Sequence, residues 1–379
     1  MSADKEYVER MLKLHEANRR KLESVPRAKI TDSKILSEFY TPGVAEPCIQ
    51  ISKNKEDVYK YTNKGNIVAV VSDGTAVLGL GDIGPEAGLP VMEGKCMLFK
   101  TFADIDAIPI MIDSKDTEEI IKAVKLVSPG LGAINLEDIA APKCFEIERR
   151  LKKELNIPVM HDDQHGTAIV IVAGLINALK LAGKNFKDIK VIFSGAGAAG
   201  TAITKMLLAE GCKNIIVADR AGALYKGRTE NMNAEKEELA KLTNPDNVKG
   251  KLDEIIKGAD VFIGVSGPGL LTKEHVKSMA DKPLIFAVAN PIPEIMPADA
   301  KEAGAFIVAT GRSDFPNQVN NCLAFPGVFR GALDVHATDI NDEMKIAAAT
   351  CLADWVKSPT VDCIIPSAFD EGLAFKVGE

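Results

Sequence analysis

The stretch that decides the fold of this chain is residues 189–220, "IKVIFSGAGAAGTAITKMLLAEGCKNIIVADR". It predicts a strand, a Gly-rich turn, a helix and a second strand, which is the βαβ unit of a parallel sheet. Gly195, Gly197 and Gly200 form the pattern GxGxxG. The first glycine permits a tight turn, the second lets a pyrophosphate approach the backbone, and the third lets the helix pack closely on the strand.

This pattern predicts a binding site for NAD or NADP. Asp219 ends the second strand, where its carboxylate can accept a hydrogen bond from a ribose hydroxyl. Arg220 leaves the choice of dinucleotide open, because an arginine at this position can pair with a 2′-phosphate. A glycine-rich turn in an unrelated α/β protein is the weaker alternative. The phosphates would lie at the N-terminus of the helix, against Gly195, Ala196, Gly197, Ala198, Ala199 and Gly200.

Short apolar runs alternate with helical segments on both sides of this unit. Before it, the predicted strands are 66–73, 107–113, 132–138 and 157–163, with helices near 86–101, 116–127 and 142–154. After it, the predicted strands are 214–219, 259–266, 283–291 and 305–311. Residues 4–23 predict an amphipathic leading helix, and 226–258 a charged, solvent-exposed helical segment. A long helix from about Thr167 would join the two blocks.

The predicted fold is therefore α/β with two domains. An N-terminal βαβ substrate and metal domain would span residues 1–160. A Rossmann-type, doubly wound parallel-sheet dinucleotide domain would span residues 161–335. The helical residues 336–379 would fold back onto the N-terminal domain.

Composition predicts a soluble, cytoplasmic protein. Its 379 residues are enough for two cores, and its net charge of −7 provides no overall basic surface for nucleic acid or an anionic membrane. Seven dispersed cysteines without a CxxC pair indicate reduced thiols. The N-terminus has no signal-like segment, and the longest apolar run, 168–179, is too short to span a bilayer. We expect neither a nucleic-acid nor a membrane partner.

Two acidic pairs follow two of the predicted N-terminal strands. Glu137 and Asp138 end one strand, and Asp162 and Asp163 end the next. Carboxylates that converge at one sheet edge repel each other unless a counter-charge is present, and Mg²⁺ or Mn²⁺ would supply it. The alternative is that Asp162 and Asp163 only cap the following helix. Zinc bound by His161 and His165 is disfavoured, because a helix that begins at 166–167 would not place both on one face.

Several other polar residues are candidate site residues, and a purely structural role is the alternative for them. Lys95 lies in an apolar helix, where desolvation would lower its pKa and make it a base, although it can equally be a surface lysine. Tyr40 precedes a Pro-Gly turn. Asn290, Asn320 and Asn321 lie in loops after strands, where they would either orient a substrate carboxylate or form turns.

Eight motifs, taken in order, resemble those of the malic enzymes, specifically the short microbial-type form. They cover the chain from Tyr40 to Gly327. The resemblance implies oxidative decarboxylation of (S)-malate to pyruvate and CO₂ by a homodimer or larger homo-oligomer. It also implies that the cofactors are NAD or NADP and Mg²⁺ or Mn²⁺. The motifs are "EFYTPGVAEPC", "GLGDIG", "EGK", "NLEDIAAPKCFEIE", "HDDQHGTA", "GAGAAG", "ANPIPE" and "NNCLAFPG".

The resemblance also implies a role for individual residues. Lys95 would be the base that takes the C2 hydroxyl proton, Asp162 the carboxylate coupled to it, and Tyr40 the acid that protonates C3. The alternatives are a malolactic-type enzyme with bound NAD and a non-catalytic dinucleotide-binding sensor. The implied metal ligands are Glu137, Asp138 and Asp163; the implied contacts to malate are Tyr40, Lys95, Asn290 and Asn321, with Asn290 also at the cofactor.

Overall fold

Two separate parallel-stranded sheets organise the chain. The structure, a computed structural model, describes residues 5–18 and 21–379. The first sheet has the order β2-β1-β3-β4 and the second β10-β9-β8-β5-β6-β7, with only β7 antiparallel to its neighbour. The predicted α/β fold is confirmed. The strands are β1 Ile67–Ser72, β2 Asp106–Met111, β3 Ala133–Leu136, β4 Val159–His161, β5 Lys190–Ser194, β6 Asn214–Asp219, β7 Gly222–Ala223, β8 Val261–Gly264, β9 Leu284–Ala287 and β10 Ile307–Thr310.

Helices cover both faces of each sheet, as parallel strands require. They are α1 Lys5–Ala17, α2 Ser33–Phe39, α3 Ala45–Lys53, α4 Val58–Tyr61, α5 Pro85–Ala103, α6 Thr117–Val127, α7 Lys143–Glu154, α8 Asp162–Ala182, α9 Ala198–Ala209, α10 Ala234–Leu242, α11 Leu252–Ile255, α12 Lys273–Lys277, α13 Pro297–Glu302, α14 Phe325–Asp334, α15 Asp342–Trp355 and α16 Leu373–Gly378. Successive residues of β1 point to opposite faces of the first sheet. Val68 and Val70 pack in the central core, which also contains the apolar residues of α8, and Ala69 and Val71 pack in the core on the other face of the sheet.

Helix α8 runs through the central core between the sheets. By length and composition it is the one helix in the described ranges that would suffice to cross a membrane, but 72% of its apolar window is buried inside the fold. Asn177 is satisfied there by the carbonyls of Ala353 and Ile364. The predicted start near Thr167 is wrong. The helix begins at Asp162, because His161 is the extended residue before it and two carboxylates in the first turn favour the helix dipole.

The C-terminal helices return to the rest of the fold. α15 packs on α8, α16 packs on α14, and both α14 and α16 contact α5. Phe99 of α5 makes edge contacts with Phe325 and Phe329 of α14, at centroid distances of 4.7 and 5.3 Å. These contacts agree with helices that fold back, and the exact domain limits stay a prediction.

Two helical predictions differ from the structure. The leading helix α1 ends at Ala17, and residues 4, 19 and 20 of its predicted span lie outside the described residues. Residues 226–258 are not one solvent-exposed helical segment. Glycines and asparagines with positive φ, such as Asn231 and Asn244, interrupt the helix between α10 and its neighbours. Arg228 and Asn244 are also buried.

Candidate active site

The two acidic pairs meet because β3 and β4 are parallel neighbours. Leu136 pairs with His161 in the sheet register, so the residues after each strand emerge side by side. The Asp138 backbone N–H donates to Asp163 Oδ2 at 2.8 Å and ties the two chain ends together. The carboxyl edge of a parallel sheet is also the usual place for a ligand.

Glu137, Asp138 and Asp163 form the acidic cluster of this edge. Each offers a carboxylate oxygen, and the three oxygens lie within 4.8 Å of one another. Burial and the charge of Asp163 raise the pKa of Asp138 to about 8, and burial raises that of Asp163 to about 6. Asp138 Oδ2 is buried without a hydrogen-bond partner among the described residues. A donor set of converging oxygens that lacks a counter-charge fits a hard divalent cation.

Lys95 of α5 reaches into this cluster and is its nearest cation. Its Nζ lies 2.6 Å from Asp162 Oδ2 and 2.8 Å from Glu137 Oε1. The ring of Phe325 lies 4.3 Å from the ammonium and covers it. The side chain is only 7% exposed, which excludes the surface-lysine interpretation.

The prediction that the pKa of Lys95 is lowered is wrong for the chain without a bound metal or substrate. Burial by itself would lower this pKa, but the charges of Asp162, Glu137 and Asp163 outweigh burial and hold it above its ordinary value. The sequence showed the apolar helix around Lys95 and gave no sign of its partners, which lie more than forty positions away. Lys95 is therefore protonated as long as these carboxylates carry no other counter-charge.

Two buried polar residues that the sequence did not single out hold the cluster in place. Asn135, inside β3, donates to Glu137 Oε2 at 2.9 Å. Glu148 of α7 accepts the backbone N–H of His161 at 2.9 Å and contacts His165 Nε2 at 3.0 Å. Their only sequence signal is position: a polar residue within an apolar strand and an acid on the buried face of an amphipathic helix.

The histidines do not form a zinc site with the cluster. His165 is on α8, and its Nε2 contacts Glu148 at 3.0 Å. His161 is fully buried, and burial lowers its pKa. Within the described ranges the one grouping of potential metal ligands is the all-carboxylate cluster. The helix start used to argue against zinc is wrong, because α8 begins at Asp162, and the expectation that His161 and His165 bind no zinc stays a prediction.

Gly166 leaves the space that Asp162 occupies. A Cβ added at Gly166 would lie 1.8 Å from Asp162 Oδ1 and 3.1 Å from Asn321 Cβ. We expect Gly166→Ala to displace the Asp162 carboxylate from Lys95 and to lower kcat about 100-fold, as misplacement of about 1 Å does elsewhere. Steady-state kinetics with the substrate that the resemblance implies would measure this loss.

Gly174→Ala is the matched control, because it adds a methyl group to the buried part of the same helix. Its Cβ would lie 3.2 Å from Phe286, far from the carboxylates. We expect Gly174→Ala to change the melting temperature while kcat is retained. Wild-type kcat in Gly166→Ala would show that Asp162 does not need its present position.

The asparagines occupy different places around the cluster. Asn321 begins a short helical turn, Asn321–Leu323, that packs against the first turns of α8. Asn320 caps that turn by accepting the Cys322 N–H, so its structural interpretation holds. Asn290 is in the loop after β9, where it lies close to Gly79 in the segment between β1 and α5 and to Gly311 just after β10. The roles of Asn290 and Asn321 in substrate binding stay predictions.

Tyr40 is not joined to the cluster within one chain. It caps the C-terminus of α2, and its side chain is 65% exposed. In the described part of the chain no hydrogen bond or ion pair connects its hydroxyl to Lys95 or to the carboxylates. Its predicted role as an acid therefore requires a further element that covers it.

The Gly-rich turn after β5 has the geometry that a dinucleotide needs. Gly195 has φ +125°, and a Cβ there would lie 2.8 Å from the Val265 carbonyl oxygen. A Cβ at Gly200 would lie 2.0 Å from the Gly195 carbonyl oxygen, so only glycine permits this close helix packing. Gly197 precedes the N-terminus of α9 and faces open space. The turn thus fits a pyrophosphate at the helix N-terminus.

Asp219 ends β6 next to this turn, as predicted, but its carboxylate is already engaged. Arg228 and Lys236 both pair with it, at 2.6 and 2.7 Å. Burial alone would raise the pKa of Asp219, but bonds from Lys236 and Arg228 hold it below its ordinary value. Arg220 is exposed.

Comparison with known proteins gives a family for both halves of the chain. Residues 19–152 match the family described as "Malic enzyme, N-terminal domain", and 164–369 match "Malic enzyme, NAD binding domain". The chain is 60% identical to the bifunctional malic/malolactic enzyme of Bacillus subtilis, covering 97% of this chain and 90% of that one. It is 50% identical to the NADP-dependent malic enzyme of Salmonella typhimurium, covering 94% of this chain and 47% of that one. The crystal structure of the NAD-dependent malic enzyme of Thermotoga maritima superposes with a TM-score of 0.94, at 49% identity and 97% coverage of both chains.

Proposed function

The chain belongs to the malic enzyme family, and we propose that it oxidises and decarboxylates (S)-malate to pyruvate and CO₂ with NAD or NADP and Mg²⁺ or Mn²⁺. The observation that carries this proposal is the buried contact of Lys95 with Asp162 and with Glu137. Glu137 is also one of the three carboxylates of the acidic cluster. It combines a proton-transfer group with a site for a divalent cation at one sheet edge. A non-catalytic dinucleotide sensor would have no need for this costly set of buried charges.

Each residue of the cluster has a part in the proposed reaction. Glu137, Asp138 and Asp163 would hold the cation. A bound dinucleotide would supply a hydride acceptor for C2, and a bound divalent cation would supply a Lewis acid. Because the neighbouring carboxylates favour its ammonium form, Lys95 must release a proton to solvent before it can act as a base. As the neutral amine it would take the C2 hydroxyl proton, and Asp162 would hold the ammonium that results.

The substrate amides and the proton donor complete the proposal. Asn290 and Asn321 would orient the malate carboxylate, because amide N–H groups donate to carboxylate oxygens without adding charge. Tyr40 would return a proton to C3 after CO₂ leaves.

A homodimer or larger homo-oligomer is the quaternary structure we propose. α1, α2 and α3 bury none of their side chains, and large apolar residues are exposed along them. Apolar side chains left exposed along successive helices favour an interaction face, and a second copy covering this face would also cover Tyr40. Light scattering would measure the mass of the particle, and an active monomer would contradict the proposal. The exposed residues include Leu36, Phe39, Tyr40, Val44 and Ile49.

Replacing Tyr40 tests its role as the acid. Tyr40→Phe removes only the hydroxyl, and we expect malate turnover to fall about 10²- to 10⁴-fold, the usual contribution of general acid catalysis. The same variant should lose exchange of the C3 hydrogens of pyruvate with solvent deuterium, followed by NMR. Tyr61→Phe, at a 43% exposed tyrosine outside the cluster, is the control. Wild-type exchange in Tyr40→Phe would remove Tyr40 from the mechanism.

The function is tested by supplying malate with NAD⁺ or NADP⁺ to the metal-free chain, with and without added Mn²⁺. We expect malate-dependent reduction of at least one dinucleotide, abolished by a chelator and restored by Mn²⁺. No reduction of either dinucleotide would overturn the proposal.

Malolactic activity is the second candidate, because the Bacillus subtilis relative is named as bifunctional. The same lysine and carboxylates would serve both reactions. The difference is the fate of the reduced cofactor, which in the malolactic case stays bound and returns its hydride to yield lactate. Lactate formed from malate without added dinucleotide would favour this candidate.

A further inference from the structure

Glu294 is a fully buried carboxylate whose hydrogen-bond partners are backbone N–H groups. Its Oε1 accepts the Ser266 N–H at 3.0 Å, and its Oε2 accepts the Ala289 N–H at 3.1 Å. Within the described ranges no cationic side chain pairs with it. Burial raises the pKa of Glu294, and the bonds from Ser266 and Ala289 oppose this rise. Because a buried carboxylate costs free energy that neutral donors return only in part, stability alone does not explain its presence.

Gly264 leaves the space that this carboxylate occupies. A Cβ added at Gly264, the last residue of β8, would lie 2.3 Å from Glu294 Cδ and 2.7 Å from Glu294 Oε1. Gly264 does not have a positive φ, so the side chain of Glu294, and not the backbone conformation, excludes a larger residue here. The end of β8 is therefore shaped around the carboxylate.

The loop after β8, which Glu294 holds at Ser266, packs against the Gly-rich turn. The Val265 carbonyl oxygen would lie 2.8 Å from a Cβ at Gly195. Ser266 Oγ lies 2.9 Å from Ser194 Oγ, directly before that turn. Glu294 therefore fixes the residues that support the turn at 195–200, where we place the dinucleotide.

The loop after β9, which Glu294 holds at its start, reaches the segment beside the acidic cluster. Asn290 lies in this loop, and its carbonyl oxygen would lie 2.7 Å from a Cβ at Gly79. Gly79 belongs to the segment between β1 and α5, in which the Ala76 N–H donates to the Asp138 carbonyl at 2.9 Å. Direct contacts thus connect the Gly-rich turn to the acidic cluster, and Glu294 joins the two loops in the middle.

We propose that Glu294 is a positioning residue, which fixes Asn290 relative to a dinucleotide on the turn at 195–200 by holding both loops to one carboxylate. Hydride transfer requires the substrate and the dinucleotide in a fixed relation, and a misplacement of about 1 Å costs about 100-fold in rate. The inference rests on the proposed function for the role of Asn290 toward malate, whereas the joining of the two loops does not depend on that function.

Glu294→Gln tests this role, because glutamine keeps the volume of the side chain but has one acceptor oxygen for two N–H donors. One loop should then be released. Hydrogen–deuterium exchange followed by mass spectrometry should become faster in peptides that cover 265–271 and 288–294. We expect kcat for malate to fall about 100-fold, while the affinity for Mn²⁺ is retained.

Two further variants support the measurement. Gly264→Ala should displace the same carboxylate while Glu294 remains in the chain, so it should reproduce both effects. Glu254→Gln is the matched control, because Glu254 also accepts a backbone N–H, from Lys251 at 2.9 Å, but is exposed on α11. Glu254→Gln should change neither the exchange of the two loops nor kcat.

A double-mutant cycle with Asn290→Ala distinguishes positioning from a general loss of structure. If Glu294 acts through Asn290, Glu294→Gln should lower kcat/KM by no more than about twofold once residue 290 is alanine. Wild-type turnover or wild-type loop exchange in Glu294→Gln would overturn the inference, as would a full 100-fold loss repeated in the Asn290→Ala background. A wild type that does not oxidise malate, with faster loop exchange in Glu294→Gln and not in Glu254→Gln, would refute the proposed function and leave the joining of the loops intact.

Discussion

Lys95→Met should abolish malate oxidation while leaving dinucleotide binding intact. Lys95 Nζ contacts both Asp162 and Glu137, and it is the group we assign to take the C2 hydroxyl proton. Loss of a general base costs about 10²- to 10⁴-fold in rate, and we expect the loss of kcat to fall in that range. The measurement is kcat for malate at saturating Mn²⁺, together with calorimetric dinucleotide binding.

The same substitution should also destabilise the metal-free chain. Methionine leaves the carboxylates of Asp162 and Glu137 buried without the counter-charge of Lys95, and breaking a buried ion pair typically costs about 3–5 kcal/mol. Because a divalent cation would replace part of the lost charge, Mn²⁺ should recover more stability in Lys95→Met than in the wild type. Thermal unfolding with and without Mn²⁺ measures this difference.

Lys184→Met is the matched control for Lys95→Met. Lys184, between α8 and β5, forms a partly buried ion pair at 2.7 Å with Asp260, just before β8 and outside the cluster. The Lys184→Met variant should be less stable than the wild type. Mn²⁺ should not restore its stability, and its kcat should be retained. A Lys95→Met enzyme within tenfold of wild-type kcat would remove Lys95 from proton transfer.

Asp163→Asn should have the second largest effect, on metal affinity. The amide oxygen can still accept the Asp138 N–H, so the junction between the strands is preserved while one anionic ligand is lost. Loss of an outer-sphere partner already costs 10- to 100-fold in metal affinity, so loss of a ligand should cost at least about 100-fold. Electron paramagnetic resonance of free Mn²⁺ measures the affinity without any turnover.

Asp104→Asn provides the comparison for Asp163→Asn. Asp104 is an exposed acid at the end of α5 with a left-handed backbone that asparagine also tolerates. The Asp104→Asn variant should bind Mn²⁺ with the affinity of the wild type. Unchanged Mn²⁺ affinity in Asp163→Asn would contradict the assignment of the cluster as the metal site.

The features predicted correctly from sequence are those that local spacing determines. Gly195 and Gly200 are required by a turn and a close helix contact within six residues of each other, so the pattern carries the geometry. The convergence of Glu137 with Asp163 follows from parallel neighbouring strands, each with an acidic pair at its end.

The features that sequence could not provide depend on distant packing. The raised pKa of Lys95 depends on carboxylates from two other elements, and the occupied state of Asp219 depends on Arg228 and Lys236 beyond a turn. The space that Gly166 leaves for Asp162 becomes visible only when side chains are placed. The exposure of Tyr40 likewise required the packing of α2 to be known. In each case the sequence does not show which distant residues are in contact in the folded chain.

Product stoichiometry is the most direct test of the central claim, which is that the chain oxidises and decarboxylates malate at this cluster. With malate, Mn²⁺ and excess NAD⁺ or NADP⁺, equal amounts of pyruvate and reduced dinucleotide should accumulate, and chelation of the metal should stop both. Lactate without net reduction of the dinucleotide, or reduction without pyruvate, would contradict the account.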